Sequence, residues 1–145
     1  MKAVIQRVNY ANLKVDGNLI SEINKGLVIF LGVGSADTKE NADYMIKKIP
    51  PLRIFEDSDG KTNLNITQAG GEVLLVSQFT LYADTSHGNR PSFINAGAPD
   101  MANDLYEYVA DGLRNAGLIV KQGVFGADMR ITQENDGPFT IIMEK

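Results

Sequence analysis

The sequence predicts a single α/β domain in which strands outnumber two main helices. Two continuous apolar runs and two amphipathic stretches carry that prediction. Gly26-Leu27-Val28-Ile29-Phe30-Leu31-Gly32-Val33 and Val73-Leu74-Leu75-Val76 are short, rich in Val, Ile and Leu, and introduced by glycine, the pattern of strands buried on both faces. Residues 37–49 and 99–116 instead repeat apolar side chains at three- and four-residue intervals, the period of a helix packed on one side. With 145 residues, 43% of them hydrophobic, and no repeat, linker or low-complexity segment, one domain with one core is expected over 1–145.

In chain order, Lys2-Ala3-Val4-Ile5-Gln6-Arg7-Val8 reads as a first strand. Residues 12–20 form a hairpin, because Asp16-Gly17 supplies the two positive-φ positions of a type I′ turn. The run at 26–33 is a second central strand, and its Gly32-Val33-Gly34 end lacks the third glycine and the lysine of a phosphate loop, so it reads as a strand exit. Asp37 with Glu40 has capping-box spacing at the start of the first helix, whose Ala42, Met45, Ile46 and Ile49 face inward before Pro50-Pro51 stops it. Leu52-Arg53-Ile54-Phe55 and Leu64-Asn65-Ile66 flank an acidic turn whose Gly60 is fourth from Asp57, where a calcium loop requires the sixth, so a surface turn is expected. The second helix places Met101, Leu105, Tyr108, Val109, Gly112 and Ala116 on one face and stops at Gly117. Strands at 118–121, 127–132 and 139–143 close the domain.

Composition removes several function classes. The chain has no cysteine and one histidine, His87, which excludes disulfide scaffolds, thiolate zinc sites and cysteine nucleophiles and argues against a catalytic metal. A formal charge of -4 argues against a protein that coats long nucleic acid, though not against one that grasps an end. No apolar stretch approaches the roughly 20 residues that cross a bilayer, and the alternating polarity of the first residues is unlike a signal peptide. A soluble, cytoplasmic protein is expected.

Candidate site residues cluster where polar groups follow a core strand. Val73–Val76 passes without a turn signal into Ser77-Gln78-Phe79-Thr80-Leu81-Tyr82, and a strand continued to Tyr82 would send Ser77, Phe79 and Leu81 to one face and Gln78, Thr80 and Tyr82 to the other. Buried without partners, those hydroxyls and the amide would each cost about 1–3 kcal/mol, so they are paired within the fold or face a cleft. The polar loop 83–93, with His87 and Arg90, is open to either a ligand role or plain solvation. Arg7, among apolar neighbours, either reaches solvent at a sheet edge or grips a carbonyl or carboxylate with its fork. Glu134-Asn135-Asp136-Gly137-Pro138-Phe139-Thr140 has the composition of a turn between two strands, yet Gly-Pro also admits a cis peptide that aims two carbonyls one way.

Ser77-Gln78-Phe79-Thr80 together with Asn135-Asp136-Gly137-Pro138-Phe139-Thr140 resembles the paired motifs of the bacterial-type D-aminoacyl-tRNA deacylases, also called D-tyrosyl-tRNA deacylases. The resemblance extends to 3–8, 52–55, 81–85, 90–93 and 125–129 in family order and spacing, with departures at Phe139 and in the less basic Ser86-His87-Gly88-Asn89. It implies a homodimer with a barrel-like mixed sheet, no metal or cofactor, and hydrolysis of the ester joining a D-amino acid to tRNA. Carried over, it makes Ser77, Gln78, Phe79 and Thr80 the catalytic floor and gives Met129 a substrate contact. Gly137 and Pro138, joined by a cis peptide, would enter the partner subunit's pocket to read the substrate amino group and exclude L side chains, with Arg7 steadying their loop. A threonine hydroxyl is a weak nucleophile without an adjacent base, so water attack with backbone N–H stabilisation and help from the ribose 2′-hydroxyl is the preferred route over covalent Thr80 attack. A general small-ester hydrolase and a non-catalytic RNA-end binder are the alternatives.

Overall fold

The first strand, β1 (Lys2–Val15), is long because its two halves find different partners. In the computed structural model, which describes residues 1–145, residues 2–8 of β1 pair with β3 (Gly26–Gly32) and residues 11–15 with β2 (Asn18–Ile23), all antiparallel. The sequence suggests a strand ending at Val8 and a separate hairpin; one strand runs through both. The hairpin turns at Asp16-Gly17 with φ of 50° and 81°, the left-handed pair that a type I′ turn demands.

The other side of β1 is covered along nearly its whole length by β8 (Met129–Glu144), a single strand where the sequence suggests two. β6 (Glu72–Ser77) lies parallel beside β3, and β7 (Val120–Gln122) parallel beside β6, so the sheet is mixed. It also curls. Ser21 Oγ donates to Gln122 O and Lys121 Nζ to Glu22 O, both at 2.6 Å, which draws β7 back toward β2 and makes the sheet nearly a barrel. β4 (Phe55–Glu56) and β5 (Thr62–Leu64) form a separate small hairpin around the acidic turn, where Asp57 accepts the N–H groups of Asp59 and Lys61.

Curling gives the sheet two apolar faces. Leu27, Ile29, Leu31, Val73 and Leu75 pack beneath the helices, while Val28, Leu74 and Val76 point into the curl against Ala11, Leu13 and Ile23. Both apolar runs are therefore buried on both sides, as their composition predicts. The helices are α1 (Lys39–Lys48) and α2 (Pro99–Asn115), and neither is long and apolar enough to cross a membrane. Thr38 caps α1 in a box with Asn41, displacing the expected Asp37–Glu40 pair because the Asp37 carboxylate is engaged elsewhere. The buried stripe of α2 is rotated from expectation: Ala102, Tyr106, Ala110 and Leu113 are buried with Leu105 and Val109, while Tyr108 stands at the margin and donates to Asp43 at 2.8 Å.

Gly112 lies where the two helices cross. A Cβ there would sit 2.3 Å from Ile46 Cδ1 and 2.6 Å from its Cγ1. Gly112→Ala would gain about 1 kcal/mol of helix propensity and lose about 1–3 kcal/mol to overpacking. The whole Ile46 side chain must move, so overpacking is expected to prevail and lower the melting temperature by a few degrees. A circular-dichroism melt at or above wild type would show that the crossing has room.

Candidate active site

The candidate site begins where β6 runs out of partner. Ser77 is paired with Leu31, Gln78 N–H donates to Leu31 O at 2.8 Å, and β3 then stops at Gly32. With no neighbouring strand to extend the ladder, the chain turns into one turn of 3-10 helix, Phe79–Tyr82, instead of continuing as strand. The glycines after β3 make room for that turn. A Cβ on Gly32 would lie 3.0 Å from Gln78 O and from Leu81 Cβ, and one on Gly34 would lie 2.6 Å from the Tyr82 ring. Gly32-Val33-Gly34 is thus a clearance for the site segment, a purpose no motif in the sequence announces.

Asp37 holds the far end of the turn. Its buried carboxylate accepts from Gly34 N–H at 2.6 Å, from the Met1 amino group at 2.5 Å and from Tyr82 Oη at 3.2 Å. Burial, and then the negative charge of Asp37, raise the Tyr82 phenol well above its ordinary range, so it remains a donor at any physiological pH. The sequence marks Asp37 only as a helix start.

Ser77, Gln78 and Phe79 form one wall of a cleft of about 540 Å³, closed by Ala96, Gly97 and Pro99 and by the segment Phe125–Met129 with Ile131. Tyr106 lies at its base, donating to Leu75 O at 2.8 Å, and burial pushes its phenol up to about 12. Phe79 is 56% exposed and meets the edge of Phe93 at 5.0 Å between centroids. Thr80 is turned away from this cleft into a smaller hollow of about 270 Å³ shared with Val4, Gln6, Phe30, Gln78 and Leu81. Its Oγ1 accepts from Gln78 Nε2 at 2.5 Å, an amide that cannot take up its proton.

The segment expected to be a turn between strands is a wide bulge inside β8. Gln6 faces Thr140 and Val8 faces Asn135, so residues 136–139 stand out opposite Arg7 alone. Arg7 is only 5% exposed, which removes the solvent-facing reading. Its Nε lies 2.9 Å from Asp136 Oδ2 and donates to Asp136 O at 3.2 Å, its Nη1 donates to Ile54 O at 2.7 Å, and its guanidinium covers the Phe139 ring at 5.1 Å. The Gly137-Pro138 peptide is cis and Gly137 has φ of 128°. Both residues are exposed, and neither they nor Arg7 line either hollow of their own chain. Of the sequence-derived candidates, Ser77, Gln78, Phe79 and Met129 therefore share one cleft, Thr80 borders it, and Arg7, Gly137 and Pro138 form a second cluster.

Loop 83–93 is pinned by the Asp84–Ser92 bridge and exposes His87 and Arg90. Ser86 donates twice to Asp84 and holds that carboxyl below its usual range. Phe93 alone of this loop is seen against the site, through Phe79.

A mixed, nearly closed sheet backed by two helices places the chain among the D-aminoacyl-tRNA deacylase folds. A solved structure described as a probable eukaryotic D-amino acid tRNA deacylase shares that fold at 18% identity, with a TM-score of 0.84 over 98% of this chain and 97% of that one. A second, described as c-Myc DNA Unwinding Element Binding Protein, matches at 40% identity and a TM-score of 0.93 over 100% of this chain and 99% of that one. Relatives named D-aminoacyl-tRNA deacylase include those of Syntrophomonas wolfei, 47% identical over 99% of this chain and 97% of its own, and Lactobacillus delbrueckii subsp. bulgaricus, 49% identical over 99% of each. The model of the D-Tyr-tRNA(Tyr) deacylase family matches residues 4–144, and the chain belongs to that family.

Proposed function

We propose that the protein hydrolyses the ester of D-aminoacyl-tRNA, releasing the free D-amino acid and tRNA, and that it works as a homodimer. In this arrangement the Gly137-Pro138 loop of each protomer enters the cleft of its partner. The observation that carries the reading is the separation of two clusters in one chain. The cleft is walled by Ser77, Gln78, Phe79 and Met129 with Asp128 beside them, while an anchored, exposed loop carrying Gly137 and Pro138 lines neither hollow of its own chain and is left free to serve another. Family membership supports the substrate class.

An enzyme that accepts many D side chains must read the amino group and the space on one side of Cα. The main-chain carbonyls of Gly137 and Pro138 are suited to this, because glycine lets backbone come close and proline limits drift by fixing φ. An L side chain would be turned into the loop and excluded by clash. For the chemical step, Gln78 N–H and Leu81 N–H already have acceptors in Leu31 O and Gln78 O. That leaves the N–H groups of Phe79 and Thr80, at the start of the 3-10 turn, without an intrahelical acceptor and available to an oxyanion. Water is the nucleophile, and the substrate's ribose 2′-hydroxyl assists. Activity on glycyl-tRNA also fits, since glycine has no side chain to exclude.

Release of D-Tyr and L-Tyr from matched tRNA tests the proposal. The D ester is expected to be cleaved faster by about two decades or more; equal rates would remove the proofreading assignment. Thr80→Val tests the nucleophile. Deacylation is expected to stay within about tenfold of wild type, the factor that one lost hydrogen bond allows. A loss of several decades would make Thr80 the attacking group.

A further inference from the structure

Four lysines on and around α1 stand over tyrosine rings. Lys48 Nζ and Lys145 Nζ lie 6.0 and 5.7 Å from the centroid of the same ring, Tyr44; Lys39 Nζ lies 5.2 Å from Tyr108 and Lys2 Nζ 5.0 Å from Tyr82. A ring beneath an ammonium steadies a flexible side chain by about 0.5–1 kcal/mol and leaves its outward N–H donors free. Lys39, beside α2, and Lys48, beside Lys145, lie about 180° apart around α1 and so flank its exposed ridge from two sides. Asn41 Nδ2 donates to Lys145 O at 3.0 Å, Lys2 pairs across the sheet with Glu144, and Tyr82 reaches Asp37 just before α1.

Only part of the negative charge around α1 is paired. Asp37 points inward to the Met1 amino group and Glu144 lies 3.4 Å from Lys2, while on α1 Glu40 and Asp43 keep their charge, Asp43 accepting only from the neutral Tyr108 phenol. Lys39, Lys47, Lys48 and Lys145 have no carboxylate within ion-pairing distance, which is also true of Lys14, Lys25 and Lys61 elsewhere. What sets this group apart is that Lys39, Lys48 and Lys145 lie close together at one helix and are each held over a tyrosine ring. On a chain of net charge -4, these unpaired ammonium groups mark a place where a polyanion can approach.

We infer that this face, α1 with Lys2 and Lys145, docks the RNA body whose aminoacylated end occupies the cleft; the inference rests on the function proposed above. Two connections link face and site. Tyr82, under Lys2, ends the turn that carries Phe79 and Thr80, and Val4 and Gln6, on the same side of β1 as Lys2, line the hollow next to Thr80. The ten residues of α1 rise about 15 Å. Lysines at its two ends therefore meet different phosphates of one RNA helix, as backbone contacts that position without reading sequence.

The test uses the surface triple variant Lys39→Gln/Lys48→Gln/Lys145→Gln beside a control triple, Lys14→Gln/Lys25→Gln/Lys61→Gln. Uncharged tRNA binding is measured as a function of salt, and hydrolysis is compared on D-Tyr-tRNA and on D-tyrosyl-adenosine. The face variant is expected to bind tRNA about tenfold more weakly at low salt, with a log–log salt slope shallower by about one per lysine removed. Its KM for D-Tyr-tRNA should rise while kcat and hydrolysis of the adenosine ester stay unchanged. Equal behaviour of the two triples, or an equal loss on the adenosine ester, would overturn the inference. If wild type cleaves neither ester yet binds tRNA through this face, the docking surface stands and the hydrolytic reading falls.

Discussion

Arg7→Ala is expected to destabilise the protein by about 3 kcal/mol and to lower deacylation by about two decades or more. Three groups depend on this one fork. Ile54 O would be left buried without its donor, the Asp136 carboxylate would lose its charge partner, and the Phe139 ring would lose the cation above it. Domains of this kind hold about 5–15 kcal/mol in reserve, so the variant should fold, with a bulge no longer fixed at 136–139. Arg7→Lys separates charge from geometry. A single ammonium can face Asp136 or Ile54 O but not hold both in a planar fork, so most of the activity loss should persist while part of the stability returns. Urea unfolding read beside single-turnover hydrolysis distinguishes these effects. A stable, fully active Arg7→Ala protein would show that the bulge stands without its buried guanidinium.

How much of this is legible in sequence depends on whether the cause is local. The runs at Leu27–Leu31 and Val73–Val76, the Asp16-Gly17 turn and both helices follow from nearest-neighbour patterns, and they appear where the patterns place them. The departures are decided by partners far along the chain. Ser77–Tyr82 has strand composition but loses its neighbour at Gly32, so it turns. Residues 134–140 have turn composition, but β1 pairs on both sides of them and absorbs the extra residues as a bulge. Asp37 has a cap's spacing, but the amino group of Met1 draws its carboxylate away from the helix. The cleft wall at Ala96-Gly97 and the Tyr106 base carry no motif and become visible only through packing. Arg7 is the instructive case, because exposure statistics for arginine favour solvent whereas an arginine amid strand-forming apolar residues can also be the one cation a loop requires.

Gly137→Ala carries the second large effect, and it reports on which subunit the loop serves. At φ of 128° an L side chain is strained whatever the space around it, and the added Cβ would also lie 2.8 Å from Phe139 N. Such strain amounts to about 1–3 kcal/mol, which the loop can relieve by moving its carbonyls. Stability should change little, since the bulge is exposed, but a shift of about 1 Å at a reading group is expected to cost D-Tyr-tRNA hydrolysis about a hundredfold and to narrow the preference for D over L. Mixing subunits then decides the direction of action. A Gly137→Ala protomer keeps its cleft, and a Phe79→Pro protomer, which loses the N–H assigned to the oxyanion at the first position of the 3-10 turn, keeps its loop. If each loop acts in its partner's cleft, a mixed dimer contains one intact pairing, and an equal mixture refolded together should recover roughly a quarter of wild-type activity. If each loop acts within its own chain, no combination restores a complete site and the mixture stays as inactive as its parents.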